Sequence, residues 1–179
     1  MGEFTPRRRR DDAKLTTAML KPNLRAVEAG DEVDLWRWRN DPETRLNSVK
    51  SDEVAWSDHV AWFQSSVANS DRVIYIVEFS GEKYGMVRFD KMTEEARAWE
   101  VSIVMSPQFR GRGFGSLALR DACAEMETRD DTLLLRAKIR RHNHPSLKIF
   151  ERCGFSPEGR EGEFVLFARR RGDPSLARA

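Results

Sequence analysis

Apolar residues recur along this chain in two rhythms, and the changes between them outline its elements. Leu24 to Glu28 predicts a short strand, and Asp31 to Arg39, with Leu35, Trp36 and Trp38, predicts a helix. Asn40-Asp41-Pro42 breaks that helix. Asp41 can cap a second, short helix that takes Pro42 into its first turn. From Ser51 to Asn69, Trp56, Val60, Phe63 and Val67 return at helical spacing and predict a stripe facing the core. The rhythm then becomes that of strands. Arg72 to Phe79 and Tyr84 to Lys91 flank a turn at Ser80-Gly81-Glu82-Lys83, and Trp99 to Met105 follows a polar turn at Thr93 to Arg97. These three strands should form an antiparallel meander. After Ser106-Pro107 a glycine-rich loop opens a helix running to about Arg129, with Leu119, Ala122, Cys123 and Met126 as its buried stripe. Thr132 to Ala137 is a strand whose run Leu133-Leu134-Leu135 suits burial on both faces. Asn143-His144-Pro145-Ser146 starts a last helix, which Gly154 ends, and Phe155 to Pro157 and Glu163 to Ala168 supply a closing hairpin.

Composition bounds what such a fold can be. At 179 residues the chain fits one domain with an ample core. Charged residues make up 34% of it, yet the net charge is only +2, so nothing demands a polyanionic partner. Basic residues gather at Arg7 to Arg10 and Arg169 to Arg171, which read as solvated ends without the interleaved aromatics of a nucleic-acid surface. No apolar run approaches the ~20 residues of a membrane span. The basic N-terminus lacks the apolar core of a signal peptide. Two cysteines without metal-like spacing and three histidines predict neither a disulfide framework nor a metal site. A reducing, cytoplasmic setting is expected. Residues 1–20 read as a mobile basic leader, 21–170 as the folded domain, and 171–179 as a flexible tail.

The chemistry is concentrated in Arg110-Gly111-Arg112-Gly113-Phe114-Gly115, between the Val101 to Met105 strand and a helix. Strand, glycine loop and helix together aim main-chain N–H groups and a helix N-terminus at one point, where a phosphate would sit. The loop is not of the Walker A type, because no Gly-Lys-Ser/Thr follows, and its alternating glycines fit the dinucleotide fingerprint poorly. It has the form Arg/Gln-x-x-Gly-x-Gly, filled by Arg110, Gly113 and Gly115. A second pattern, Asn143-x-x-Ser146-x-x-x-Phe150-x-x-x-Gly154-Phe155, follows after one strand.

On these two motifs the chain resembles the GNAT superfamily of acetyl-CoA-dependent N-acetyltransferases, from about Leu24 to Arg169. The resemblance implies an α+β (α/β) fold: a mixed, mostly antiparallel sheet of about seven strands flanked by about four helices. It implies that the fourth strand splays from the fifth, so that main-chain groups of Ile103, Val104 and Met105 pair with the pantetheine arm of acetyl-CoA. Amides of Gly111, Arg112, Gly113, Phe114, Gly115 and Ser116 would hold the pyrophosphate, with charge added by Arg110 and Arg112. Asn143 would bond the arm near the thioester, and Phe150 would pack against it. No metal is implied. The reaction would be direct attack by a primary amine. Glu100, on the fourth strand, is the candidate base, with Asp90 a weaker one. Many members carry a tyrosine in the last helix to protonate the leaving thiolate. Phe150 stands at that position, so Ser146 or His144 would have to assist.

The segment Leu35-Trp36-Arg37-Trp38-Arg39-Asn40-Asp41-Pro42, followed by His59-x-x-Trp62-Phe63, resembles one branch of that superfamily. The branch holds amino-sugar-nucleotide acetyltransferases of the pseudaminic acid pathway together with ribosomal-protein N-terminal and spermidine acetyltransferases. It implies a small-molecule amine acceptor met by Arg39, Asn40, Arg45, His59 and Trp62. Arginines there favour an anionic acceptor such as an amino-sugar nucleotide over a polyamine. A protein N-terminus, a polyamine, or a non-catalytic acyl-CoA sensor are the alternatives. The free edge of the closing hairpin suits a homodimer.

Overall fold

The computed structural model describes residues 21–95, 97–129 and 133–170; the expected leader 1–20 and tail 171–179 lie outside them. Seven strands form one sheet: β1 (Asn23–Ala26), β2 (Arg72–Phe79), β3 (Glu82–Lys91), β4 (Ala98–Met105), β5 (Leu134–Arg140), β6 (Ser156–Glu161) and β7 (Phe164–Arg170). Their spatial order is β1-β2-β3-β4-β5-β7-β6, and only the β4–β5 pair is parallel. Five helices accompany them: α1 (Glu32–Asn40), α2 (Pro42–Asn47), α3 (Trp56–Val67), α4 (Phe114–Glu127) and α5 (His144–Arg152). The expected meander and closing hairpin are present, with β7 inserted between β5 and β6.

Alternation along the strands gives the sheet two apolar faces. On one, α4 and α5 cover Val77, Val87, Phe89, Val101, Leu135 and Phe167, and Leu119, Ala122, Cys123 and Met126 point into that core as expected. On the other, Leu35 and Trp38 of α1 and Phe63 of α3 cover Ile74, Ile76 and Met86. Buried Asp31 ties the start of α1 to the sheet through Arg25 and Lys83, at 2.7 and 2.8 Å.

Three expectations need correction. The third helix begins at Trp56 rather than Ser51, because the chain before it is held by side-chain bonds to its main chain: Arg39 to the Lys50 carbonyl, Arg45 to that of Ser51, Asn40 to Val54. Its buried stripe is His59, Phe63 and Ser66; Trp56 and Val67 are 42% and 52% exposed. The leucine run of β5 is not buried on both faces. From Leu134 onward the strand alternates, with Leu135, Ala137 and Ile139 inward and Arg136, Lys138 and Arg140 opposite, where they pair with Glu95, Glu158, Glu161 and Glu163.

Candidate active site

Among the described residues β4 and β5 pair at three positions, Ala98 with Leu134, Trp99 with Leu135 and Glu100 with Arg136. Both strands continue beyond, to Met105 and Arg140, without pairing to each other. β4 stays zipped to β3 as far as Gly85 with Met105, so its β5-facing edge opens from Val101 onward. Gly85 makes this possible: a Cβ there would lie 2.3 Å from the Val104 carbonyl oxygen. The opening holds the expected Ile103, Val104 and Met105.

At the mouth of this opening the glycine loop enters α4. Gly111 and Gly113 both have positive φ, 71° and 85°, and Gly113 is the N-cap of α4. A left-handed cap without a side chain leaves the first amides of the helix uncovered, a ready anion site. Phe114 anchors the turn by packing on Phe79 and Tyr84, so its amide, not its ring, faces the loop. Gly115 lets α4 come close: a Cβ there would meet Ile149 of α5 at 3.1 Å and Met105 at 3.6 Å. Ser116 is half-buried, its carbonyl accepting from the Cys153 thiol. Main-chain donors at the loop and an unpaired strand edge beside it fit a pyrophosphate-bearing pantetheine arm.

The two loop arginines differ. Arg112 is exposed beside the Phe109 ring and is the charge the loop can offer a phosphate. Arg110 is turned away from the loop. It donates to the Met105 carbonyl at 3.2 Å and to Thr44 Oγ1 at 2.7 Å, and it pairs with Asp41 at 2.6 Å and Glu43 at 3.0 Å. Arg110, expected to add charge at the pyrophosphate, is thus placed against β4 and α2. Four acceptor atoms on β4 and α2 outcompete an exposed position, and Arg110 becomes a strut between those elements. Across the opening, Asn143 caps α5 by accepting from the Ser146 amide at 3.2 Å, which commits its oxygen and leaves its NH2 as the donor. Phe150 is 2% exposed and packs edge-on to Phe155. It is placed in the core beside the site where it was expected to pack against the donor.

Glu100 is the last β4 residue paired with β5 and lies at the vertex of the opening, half-buried. Alternation sets it with Ser102 and Val104 on the α1–α3 side. Asp90 stands across from Glu100, but its oxygens are taken by Arg72 and by Arg88, the latter at 2.8 Å, which leaves Glu100 the freer carboxylate.

Of the expected acceptor residues, Asn40 holds both the N–H and C=O of Val54 at 2.8 Å, so its amide is spent on ordering the 48–55 loop. Trp36 adds a third bond to Val54, and Trp38 is buried, so both tryptophans pack rather than stack. Arg45 bonds the Ser51 carbonyl and pairs loosely with Glu53. His59 is 2% exposed, its Nε2 2.8 Å from the Glu32 carbonyl, so it bridges α3 to α1 rather than opening on a substrate mouth. Burial pushes its imidazole below the ordinary value. Arg39 and Trp62 remain at the open face. Arg39 reaches the Lys50 carbonyl through Nη2, and the guanidinium groups of Arg72 and Arg88 both lie over the half-buried Trp62 ring, at 5.7 and 5.8 Å.

Sequence reading missed Arg88, Ser102 and Arg140. Arg88 and Ser102 pair across β3 and β4 on the α1–α3 side, and Arg140 reaches from β5 to the Ser48 carbonyl at 2.9 Å. Their strand alternation placed them opposite the apolar face, but only the position of α1 and the 48–55 loop shows that this face borders the opening. Among the described residues no group of His, Cys, Asp or Glu could hold a metal ion, and no helix is long and apolar enough to cross a membrane.

An open V between parallel strands, with a glycine-capped helix at its mouth, is an arrangement suited to the donor of an acyl transfer. The family model described as "Acetyltransferase (GNAT) domain" matches residues 23–156, and the chain belongs to that family. It is 29% identical over 85 residues to spermidine N(1)-acetyltransferase of Escherichia coli K12, a match covering 48% of this chain and 46% of that protein, so the chain spans about half of that relative's length. It is also 29% identical over 120 residues to the putative phosphinothricin acetyltransferase YwnH of Bacillus subtilis, covering 65% and 72% of the two chains. The fold matches the crystal structure of spermidine N-acetyltransferase from Vibrio cholerae in complex with CoA and spermine, with a TM-score of 0.73 over 83% of this chain and 93% of that one at 17% identity.

Proposed function

We propose that this chain transfers an acetyl group from acetyl-CoA to a primary amine within a ternary complex. The observation that carries this is the separation of β4 from β5 after Glu100, with the α4 N-terminus at its mouth. The β4 edge at Ile103, Val104 and Met105 would bind and orient the donor arm, while the Gly111 to Ser116 amides and Arg112 hold its pyrophosphate. Asn143 Nδ2 would donate to the arm from the opposite wall. With the donor entering beside α4 and α5, the amine must approach from the α1–α3 side, where Glu100 and Ser102 point.

A free alkylammonium has a pKa near ~10 and must lose a proton before it can attack. Glu100 would take that proton, directly or through water. The leaving thiol, with a pKa of ~8.5, needs little help, and Ser146 at the start of α5 could donate to it. Two buried free thiols suit a reducing, cytoplasmic setting. The exposed β6 edge suits a homodimer.

For the acceptor, Arg39 and Arg88 at the open face support an amine that also carries negative charge, such as an amino-sugar nucleotide. A polyamine is the second reading, favoured by the likeness to spermidine acetyltransferases. Incubation with acetyl-CoA and separate panels of amino-sugar nucleotides, amino-sugar phosphates, polyamines and peptides, read by mass, tests both. Acetylation of the anionic sugars is expected. Preference for spermidine would select the second reading. Binding of acetyl-CoA without any product would make the chain a sensor.

A further inference from the structure

Besides its donor opening, the molecule presents several charged clusters, and most of them are closed. Arg25, Lys83, Asp31 and Asp34 satisfy one another at the start of α1, and Arg136, Arg170, Glu95 and Glu158 do the same across the outer strands. The cluster between α1 and the β3–β4 surface is not closed. Arg39 Nη2 donates to the Lys50 carbonyl at 2.7 Å, but Arg39 Nη1 is buried and has no hydrogen-bond partner. Arg88 has as its partners Asp90, 2.8 Å from Nε in a direction that makes no hydrogen bond, and the face of Trp62. Native proteins rarely leave a buried charged donor unmatched.

We infer that Arg39 and Arg88 form an oxyanion subsite on the acceptor side, which takes a phosphate or carboxylate carried by the acceptor amine. Both guanidinium groups are fixed before any ligand arrives: Arg39 by a main-chain carbonyl, Arg88 by a carboxylate and an aromatic face. Planar forks held in this way suit bidentate recognition of oxyanions. Burial acts most strongly against the charge of Arg39; Arg45 and Arg88 add to this as like charges, and Asp52 acts in the other sense. A bound oxyanion offsets the like charges and supplies the missing acceptor for Nη1.

The position relates this subsite to the reaction. Arg88 pairs laterally with Ser102, two residues beyond Glu100 on the open part of β4. Two residues of strand rise ~7 Å, so an oxyanion here lies several bonds from an amine at Glu100. An amino sugar phosphate or an acidic amino acid spans that distance. A polyamine would set a second cation against two arginines. The identity of the occupant as the acceptor rests on the acetyl-transfer reading above; the binding of an oxyanion does not.

The test separates the two. With the donor opening filled by saturating CoA, so that the α4 N-terminus cannot respond, inorganic phosphate is titrated while the melting temperature is followed. Wild type should show a saturable rise that Arg39→Gln and Arg88→Met both abolish, while acetyl-CoA alone still raises the melting temperature of each variant. Arg39→Lys, which keeps the charge and one donor, should recover part of the response. A glutamate titration in parallel tells a carboxylate site from a phosphate site, and a saturable response to either supports the subsite. An unsaturable salt effect shared by wild type and variants overturns it. In turnover, the kcat/KM ratio of glucosamine 6-phosphate to glucosamine should fall at least tenfold in Arg88→Met; an unchanged ratio removes the subsite from acceptor choice. No response of wild type to acetyl-CoA would sink the donor reading alone, since the phosphate comparison of wild type with variants stands without it.

Discussion

His59 and Gly113 show how single residues set this molecule's behaviour. His59 is buried against the Glu32 carbonyl, and burial lowers its pKa. An unfolded histidine titrates near ~6.5, so below that pH the unfolded chain binds a proton that the folded one refuses. Stability contributed by His59 is therefore complete above that pH and is lost as pH falls through it. The other two histidines, His142 and His144, are exposed. Denaturant midpoints measured at pH 7 and pH 5.5 should fall on acidification in wild type, and His59→Gln should flatten that dependence; equal slopes would contradict the assignment. At Gly113 the backbone φ of 85° costs an L residue ~1–2 kcal/mol, although a Cβ there would meet no atom within 4 Å. Gly113→Ala should lose about that much stability, read from the same denaturation curves. Asp41 with Pro42 and Asn143 with Pro145 were legible as caps, because capping is a matter of three or four neighbouring residues. The inward turn of His59 was not legible, since its partner lies 27 residues away.

At the scale of elements, the opening between β4 and β5 depends on what holds β4 elsewhere. Gly85 lets β3 accept the Val104 carbonyl at close range, and Gly85→Ala would force the two strands apart. Overpacking of this kind costs about 1–3 kcal/mol, and thermal melting should show it together with weaker acetyl-CoA binding. Arg110 ties the Met105 carbonyl to Asp41, Glu43 and Thr44 of the α2 turn, so the donor strand and the acceptor-side helix share one guanidinium. Arg110→Ala should cost about 1.5–3 kcal/mol and lower kcat/KM for the acceptor more than it weakens acetyl-CoA binding. If Arg110 served the pyrophosphate instead, acetyl-CoA affinity would fall first. The sequence showed the strand, the glycine loop and the helix in the right order, because each carries a local signature. It gave no sign that the motif arginine turns backwards, because Glu43 lies 67 residues away in sequence.

Over the whole molecule, a sheet with an apolar core on each face carries two unlike surfaces at one opening, main-chain donors beside α4 and charged side chains beneath α1. The seven-strand sheet was legible from alternation and turns, but the place of β7 between β5 and β6 was not, because strand order depends on long-range pairing. The cationic row of β5 was misread for a related reason: a short apolar run does not say whether one face or both will be covered. The α4–α5 core encloses both cysteines, and burial pushes Cys153 up to about 11 and Cys123 higher still. Neither thiol should react with a disulfide reagent at pH 8 unless the fold opens, so labelling should follow global unfolding; fast labelling of native protein would contradict the packing of that core. The central claim is that the glycine-capped helix and the open strand edge form an acetyl-CoA site, and one titration tests it. Acetyl-CoA should raise the melting temperature of wild type saturably and leave Gly113→Glu unmoved. A wild type that does not respond, or a Gly113→Glu variant that responds equally, would contradict it.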